Sequence, residues 1–323
     1  MKLIIQIPCF NEEETLATTL AALPRKIAGI DTVEWLVIDD GSTDRTVDIA
    51  VEHRVDHIVR LARNMGLAQA FRTGLEACLD NGADIIVNTD GDNQYCADDI
   101  PKLIEPILQH RADMTIGARP IDQIESFSAS KKWLQKLGSA VVRTVSGTQV
   151  ADSPSGFRAI SRAAAFQLNV FNEYTYTLET VIQAGHKNLA VESVPIRTNP
   201  GAQRPSRLVK SIPSYVARSM LTIFRIFMVY RPLRFFSALA VLPFLVGSGL
   251  FARWLVLFLF VDPTRSRAPS LILAAVLLVV STILFALGLL GEQLSVNRKL
   301  LEDMQLRMRL AQSGERGTRD RES

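Results

Sequence analysis

The chain has 323 residues, a length that favours two domains, and its formal net charge at pH 7 is only +3. A charge that small does not predict a nucleic-acid partner. The three cysteines are an odd number and form no Cys-x-x-Cys motif, which predicts reduced cytosolic thiols and argues against a disulfide framework.

Short β-branched runs alternate with helical stretches along the first 120 residues. The predicted strands are 3–7, 34–38, 57–61, 85–89 and 114–118, and the predicted helices end at 22 or span 43–52, 67–81 and 97–110. Strands that recur roughly every 25–30 residues with helices between them are typical of βαβ units. The sequence therefore predicts an α/β fold with a mostly parallel sheet and helices on both faces. Beyond it we expect a turn-rich stretch, 152–158, that leads into a helix, then a helix opening at 174–179 and a last strand at 189–194.

Polar clusters follow the carboxyl ends of these strands: Asn11-Glu12, Asp39-Asp40, Arg63-Asn64, Asp90 with Asp92, and Arg119. In open α/β sheets, ligands bind at that edge. Helix capping is the alternative, since Asp and Ser also cap helices, but it does not explain Glu12, Arg63 or Arg119 equally well. The chain has neither a Gly-x-Gly-x-x-Gly nor a Walker motif. We therefore expect a nucleotide site in which a metal ion and arginines hold the phosphates.

The stretch Thr89-Asp90-Gly91-Asp92-Asn93-Gln94-Tyr95 comes directly after the apolar run 85–87. A strand that ends in Asp-x-Asp brings two oxygen ligands to one place at the sheet edge. Hard divalent cations such as Mg²⁺ take oxygen ligands and usually share them with substrate phosphates. The stretch therefore predicts a metal–diphosphate clamp, although Asp and Gly are also ordinary loop residues.

The last third of the chain has the pattern of a membrane protein. Residues 206–232 carry arginines on one helical face and apolar side chains on the other, which is typical of an interfacial helix, with a core-packing helix as the alternative. Residues 233–292 contain two apolar stretches long enough to cross a bilayer. Basic flanks outside both spans predict that both chain ends lie in the cytosol. The charged tail 293–323 is predicted to be disordered from Ser313.

Five motifs in this order resemble the family 2 glycosyltransferases with the GT-A fold, and more narrowly the branch that contains dolichol-phosphate-mannose synthases and polyprenyl-phosphate hexosyltransferases. They are the stretches 8–12 (Pro-Cys-Phe-Asn-Glu), 39–44 (Asp-Asp-Gly-Ser-Thr-Asp), 90–94 (Asp-Gly-Asp-Asn-Gln), 155–158 (Ser-Gly-Phe-Arg) and 206–208 (Ser-Arg-Leu). The resemblance covers about residues 2–230 and implies a Rossmann-like catalytic domain at 1–205. The chain departs from the family where Phe10 replaces the usual Tyr and Arg207 the usual Lys.

The resemblance also implies roles for individual residues. Asp92 and Gln94 would ligate Mg²⁺ or Mn²⁺. A nucleoside diphosphate sugar would be bound by Pro8, Phe10, Asn11, Glu12, Asp39, Asp40, Asp90, Arg204 and Arg207. The catalytic set would be Asp90, Asp92, Arg119, Arg158 and Glu179. Lys132 and Lys136, four residues apart on a predicted helix, would meet the acceptor phosphate, with a solvated charged face as the alternative.

The implied reaction is inverting transfer of a hexose to a polyprenyl phosphate, by a multi-pass protein of the plasma or inner membrane whose catalytic domain faces the cytosol. A phosphate monoester is mostly dianionic at neutral pH, so such an acceptor needs no general base. A hydroxyl acceptor would need one, with Glu179 or Asp152 as candidates. Transfer to another lipid or glycan, a non-catalytic nucleotide-sugar-binding subunit, and a homo-oligomer stay open as alternatives. Processive synthases of this fold carry a Gln-x-x-Arg-Trp motif, which is absent from the sequence.

Overall fold

The computed structural model describes residues 1–120, 139–140, 142–144, 146–170, 176–199, 221, 224–225, 228, 230–260 and 268–322. The chain divides into two compact units, Met1–Ser219 with Gln305–Ser323, and Met220–Met304. Most of the predicted interfacial helix at 206–232 lies outside the described residues.

The first unit is built on one mixed sheet. Its strands are β1 (Lys2–Cys9), β2 (Thr32–Asp39), β3 (His57–Arg60), β4 (Ile85–Asn88), β5 (Met114–Ala118), β6 (Arg158–Ser161) and β7 (Val191–Pro195). Within the described part of the chain these form a seven-stranded sheet in the order β3-β2-β1-β4-β6-β5-β7. All neighbours are parallel except β6, which is antiparallel to β4 and β5. The predicted mostly parallel α/β sheet is confirmed.

Helices cover both faces of the sheet, as predicted. They are α1 (Leu16–Ala22), α2 (Thr46–Glu52), α3 (Leu67–Asp80), α4 (Ile100–Leu108), α5 (Arg162–Gln167) and α6 (Thr177–His186). Alternate residues of β1 face opposite ways, as in any strand. Leu3, Ile5 and Ile7 share one core with α1 and α4, whereas Gln6 faces α3, where Gly74 leaves room for it.

One strand corrects the sequence analysis. The turn-rich stretch was expected to lead into a helix, but Arg158–Ser161 first forms β6, which pairs with both β4 and β5. Ser161 then caps α5 by accepting a hydrogen bond from the Ala164 amide. Four residues that begin with an arginine are too short and too polar to show a strand period.

The second unit contains α7 (Pro232–Phe260) and part of α8 (Ala268–Glu322). Both helices are long and apolar enough to cross a membrane. In the most apolar 18-residue stretch of each helix, only 11% and 17% respectively is buried. They pack closely where Gly247 faces Leu277 and where Ser281 donates to the Ala240 carbonyl at 3.0 Å. The helix α8 continues to Glu322, so the disorder predicted from Ser313 is wrong. The residues beyond the apolar span are rich in Leu, Glu, Gln and Arg, which are strong helix formers.

Candidate active site

The carboxyl ends of β1, β2 and β4 bring three of the predicted polar clusters together. Cys9 at the end of β1 pairs with Asp39 at the end of β2. The Asn11 amide donates to Ser42 Oγ at 2.9 Å, and Asn11 Oδ1 accepts from the Thr43 amide at 2.9 Å. Asn11 has φ +54°, a conformation that Asn tolerates better than most residues. Asn11 therefore joins the loops that follow the first two strands.

Glu12 opens the helical turn that leads into α1. Its amide donates to Thr46 Oγ1 at 2.9 Å, and its carboxylate accepts from Thr15 Oγ1 at 2.9 Å. Thr15 Oγ1 also lies 2.9 Å from the carbonyl oxygen of Gly91, in the loop after β4. Pro8 is buried in β1 and Phe10 is half-buried just beyond it. The stretch 8–12 and the turn that follows it thus contact the segment after β2 and the loop after β4.

The two aspartates at the end of β2 have different surroundings. Asp39 accepts from the Ser42 amide at 2.9 Å, and Arg60 Nε lies 3.5 Å from its other oxygen. Asp40 accepts from the amides of Met65 and Gly66 at 2.7 and 2.8 Å. Burial raises the pKa of Asp40 against the lowering effect of these bonds. Asp40 therefore holds the loop that follows β3, which carries Arg63 and Asn64, against the carboxyl end of β2.

Gly41 makes this contact between loops possible. Its φ is +73°, and an added Cβ would lie 2.5 Å from the carbonyl carbon of Arg63. Both the backbone conformation and the close approach require glycine.

The loop 90–94 after β4 carries the predicted metal ligands. Asp92 Oδ1 accepts from the Gln94 amide at 3.0 Å, and between them Asn93 turns the chain with φ +56°. The side chains of Asp90, Asp92 and Gln94 are all half-buried. Burial raises the pKa of Asp90 to about 7, and the charge of Asp92 adds to that rise. The negative charge of Asp92 is thus close enough to disfavour ionisation of Asp90.

A buried polar chain that the sequence analysis missed supports Asp90. Tyr95 donates to the Asp90 carboxylate, and the Gly156 amide donates to Tyr95 Oη at 3.0 Å. Asn88 Nδ2 in turn donates to the Gly156 carbonyl at 2.8 Å and to Tyr176 Oη at 3.0 Å. Asn88, a polar residue at the end of an apolar strand, was the one available signal in the sequence.

Gly156, in the predicted Ser-Gly-Phe-Arg motif, lies directly against the first aspartate. A Cβ added there would lie 2.9 Å from both carboxylate oxygens of Asp90. The motif therefore packs on the candidate metal loop.

The guanidinium of Arg158, predicted to be catalytic, is hydrogen-bonded to groups within the protein. Its side chain is 0% exposed. It donates to the carbonyls of Ser153, Ser155 and Thr177 and to Thr180 Oγ1. These bonds tie β6 to the start of α6. The surroundings favour a positioning role over direct contact with substrate.

Arg119 and Asp152 form a buried ion pair beside this loop. Arg119 Nε and Nη2 donate to the Asp152 carboxylate at 2.7 and 3.1 Å, and the two side chains are 9% and 1% exposed. Asp152, the candidate general base for a hydroxyl acceptor, is thus held in an ion pair with Arg119. Burial alone would lower the pKa of Arg119, but Tyr95, Asp152 and Asp90 hold it above its usual range.

Glu179 lies in the first turn of α6 and is buried. It accepts a hydrogen bond from Gln183 Nε2 at 3.4 Å. The predicted acceptor residues Lys132 and Lys136 and the predicted diphosphate residues Arg204 and Arg207 lie outside the described residues. Among the residues that are described, no group of three or more His, Cys, Asp or Glu side chains is arranged to hold a metal ion.

Named relatives and solved structures resemble this chain. The chain is 30% identical over 217 residues to a UDP-N-acetylglucosamine–dolichyl-phosphate N-acetylglucosaminyltransferase of Methanococcus voltae, which covers 59% of this chain and 83% of that protein. It is 30% identical over 165 residues to an undecaprenyl-phosphate mannosyltransferase of Micrococcus luteus, over 49% of this chain and 66% of that protein.

The fold has solved counterparts. Glucosyl-3-phosphoglycerate synthase of Mycobacterium tuberculosis, in a complex with Mn²⁺, UDP-glucose and phosphoglyceric acid, superposes with a TM-score of 0.54. The match covers 69% of this chain and 79% of that one, at 20% identity. At that identity the likeness concerns the fold.

The family model described as glycosyl transferase family 2 matches residues 4–167. This range runs from within β1 to the end of β6 and beyond. It contains four of the five motifs, and the stretch 206–208 lies outside it. The chain therefore belongs to glycosyl transferase family 2, and the protein is a glycosyltransferase.

Proposed function

We propose that this glycosyltransferase transfers a hexose from a nucleoside diphosphate sugar to a polyprenyl phosphate, with inversion at the anomeric carbon. The observation that carries the proposal is the loop 90–94, which presents two mutually repelling carboxylates and an amide at the nucleotide edge of the sheet. The named relatives act on dolichyl phosphate and undecaprenyl phosphate, which supports a polyprenyl phosphate acceptor.

The donor set of this loop fits a hard divalent cation. Asp92 and Gln94, with Asp90 beside them, offer oxygen atoms, which Mg²⁺ and Mn²⁺ prefer. The charge of Asp92 raises the pKa of Asp90, and a bound cation would relieve that repulsion. Such an ion supplies Lewis-acid neutralisation of the diphosphate leaving group. The solved counterpart named above holds Mn²⁺ with UDP-glucose.

The neighbouring loops would hold the rest of the nucleotide sugar. Pro8, Phe10 and Glu12 line the end of β1, and Asp39 the end of β2, where base and ribose would bind. Arg204 and Arg207 would clamp the diphosphate, since guanidinium groups suit phosphate geometry.

A phosphate acceptor simplifies the chemistry. Its second pKa is near 6, so it attacks without a general base, and positioning supplies most of the acceleration. In this scheme Glu179, which is buried at the start of α6, helps to position Gln183 and need not accept a proton. Lys132 and Lys136 would bind the acceptor phosphate.

The helix pair supports a lipid acceptor and a cytosolic site. Arg298 in α8 donates to Tyr230 Oη at 3.0 Å, two residues before the first residue of α7. This contact supports a hairpin in which the first proposed span begins and the second ends on the same side of the membrane. Basic residues cluster there: Arg225, Arg231, Arg234 and Arg298. By the positive-inside rule this side is cytosolic.

A transfer assay on the detergent-solubilised full-length protein tests the proposal. Labelled UDP-glucose, UDP-N-acetylglucosamine and GDP-mannose are each offered with undecaprenyl phosphate and MnCl₂, with EDTA as the metal control. We expect one donor to give a labelled lipid only when metal is present. Transfer that persists in EDTA would contradict the metal assignment. Transfer to phosphoglyceric acid but not to the lipid would contradict the acceptor assignment.

A further inference from the structure

The four residues after β7, Ile196–Asn199, lie along the loop that carries the candidate metal ligands. We call them the strap. Thr198 forms an antiparallel bridge with Tyr95. The Asn199 amide donates to the Gln94 carbonyl at 2.9 Å, and the Cys96 amide donates to the Arg197 carbonyl at 3.3 Å. The strap therefore adds a short strand-like edge to the loop.

The Asn199 side chain makes the most specific of these contacts. Its Nδ2 lies 2.9 Å from the Asn93 carbonyl, 3.1 Å from Asn93 Oδ1 and 3.2 Å from the Tyr95 carbonyl. Asn93 is the residue with φ +56° between the two candidate ligands Asp92 and Gln94. One amide group thus reaches the backbone on both sides of Gln94.

An ion pair fastens the other end of the strap. The Arg197 amide donates to Asp99 Oδ2 at 2.7 Å, and its guanidinium donates to Asp99 Oδ1 at 2.9 Å. Asp99 is 0% exposed and also accepts from Lys102 at 3.1 Å. Because Asp99 lies where the loop enters α4, the pair fixes the strap to the start of α4.

We propose that Asn199 is a positioning residue for the metal loop, and that it sets the conformation in which Asp92 and Gln94 bind a divalent cation. The inference rests on the proposed function, because it assumes that this loop is the metal site. The backbone conformation of Asn93, with φ +56°, determines where the side chains of Asp92 and Gln94 point relative to each other. In metal sites, partners that orient the ligands typically change metal affinity by about 10- to 100-fold when they are removed.

The test compares Asn199→Ala with Asn81→Ala in the full-length protein. Asn81 is a matched control, since it too is part-buried and donates its Nδ2 to a backbone carbonyl, that of Ala77 at 2.8 Å, at the end of α3. Mn²⁺ binding is measured by electron paramagnetic resonance with MnCl₂ alone and with UDP or GDP added. We expect Asn199→Ala to weaken Mn²⁺ binding by about 10-fold or more, and Asn81→Ala to leave it unchanged.

A second readout does not depend on the metal. Amide hydrogen exchange of 93–96 in the metal-free protein should be faster in Asn199→Ala and unchanged in Asn81→Ala. Arg197→Met, which keeps the Asn199 amide but breaks the Asp99 pair, should shift both readouts in the same direction by a smaller factor. This variant keeps the proposal testable if Asn199→Ala does not fold.

The outcomes separate the two proposals. Wild-type protein that binds Mn²⁺, with a folded Asn199→Ala that binds it equally well, would overturn the role of Asn199 and leave the proposed function standing. Equal losses in Asn199→Ala and Asn81→Ala would also overturn it, because they would reflect stability alone. Wild-type protein that binds no Mn²⁺ with either nucleotide would overturn the metal-dependent function and this inference with it.

Discussion

The two units of the protein place similar side chains in opposite surroundings. In the sheet unit, Leu3 and Ile5 are fully buried, and Asp99 and Asp152 lie in the interior with paired cations. In the helix unit, Leu242 is 70% exposed and Phe260 80% exposed. Water drives apolar groups inward in the first unit. In the bilayer that we propose for the second unit, the surrounding hydrocarbon leaves no reason to bury them. Apolar residue types such as Leu thus contribute to the stability of the two units for different reasons.

The largest expected effect is a loss of catalytic activity from a substitution in the sheet unit that leaves the helix unit unchanged. Asp92→Asn removes the carboxylate that we propose as a metal ligand, and a metal ion supplies several kcal/mol of charge stabilisation, so kcat should fall by about 10³-fold. The melting temperature should not fall, because the substitution also relieves the repulsion with Asp90. Steady-state transfer assays and thermal unfolding measure the two effects. A variant with wild-type activity and unaltered metal dependence would remove Asp92 from the site.

The second prediction tests the surroundings of the helix unit. Leu242 lies about 15 Å along α7, and Asp near the centre of a span costs about 2.5–3.5 kcal/mol. Leu242→Asp should reduce several-fold the fraction of full-length protein that stays in membranes after an alkaline wash. Val51 in α2 is 62% exposed, and Val51→Asp is the control. A water-exposed substitution there should change stability by less than about 0.5 kcal/mol. Equal retention of both variants would indicate that α7 does not lie in hydrocarbon.

A third pair of variants compares close packing in the two units. Gly156→Ala places a Cβ 2.9 Å from both Asp90 oxygens. Overpacking costs about 1–3 kcal/mol, so kcat should fall by about 10- to 100-fold if the carboxylate moves. Gly249 in α7 has nothing within 4 Å of its added Cβ, so Gly249→Ala should leave activity unchanged. Full activity in Gly156→Ala would mean that the position of Asp90 does not matter for catalysis.

The last prediction is a pH dependence confined to the sheet unit. Because the pKa of Asp90 in the folded protein is raised to about 7, protons compete with the metal below that pH. Mn²⁺ binding should therefore be about tenfold weaker at pH 6 than at pH 8. In the metal-free protein the sign for stability is opposite. A carboxyl with a raised pKa costs stability when ionised, and the cost is relieved as pH falls through 7. Asp90→Asn should abolish both dependences in titrations and melting curves, and their persistence would assign them to another group.

Much of the fold could be predicted because its signals are local. Apolar runs such as 85–87 predicted β4, and the polar residues after it predicted the site edge, since parallel strands end at the same side of a sheet. The two long apolar helices were predicted from the length and composition of their stretches alone. The extent of α8 was misjudged, because the glycines and charges from Ser313 onward indicated disorder whereas the helix continues to Glu322.

The sequence by itself determined the class of fold, the glycosyltransferase motifs and the apolar helices, because each depends on neighbouring residues. The tertiary structure alone decided which residues support the site. Asn199 meets Asn93 across 106 residues, and Asn88 meets Gly156 across 68. Such pairs leave no periodic pattern, since either amide could cap a turn or face water. Likewise, Arg158 is buried because β6 lies between β4 and β5. In that place this motif residue connects β6 to the start of α6. Long-range pairing selects one partner among many that the local sequence permits.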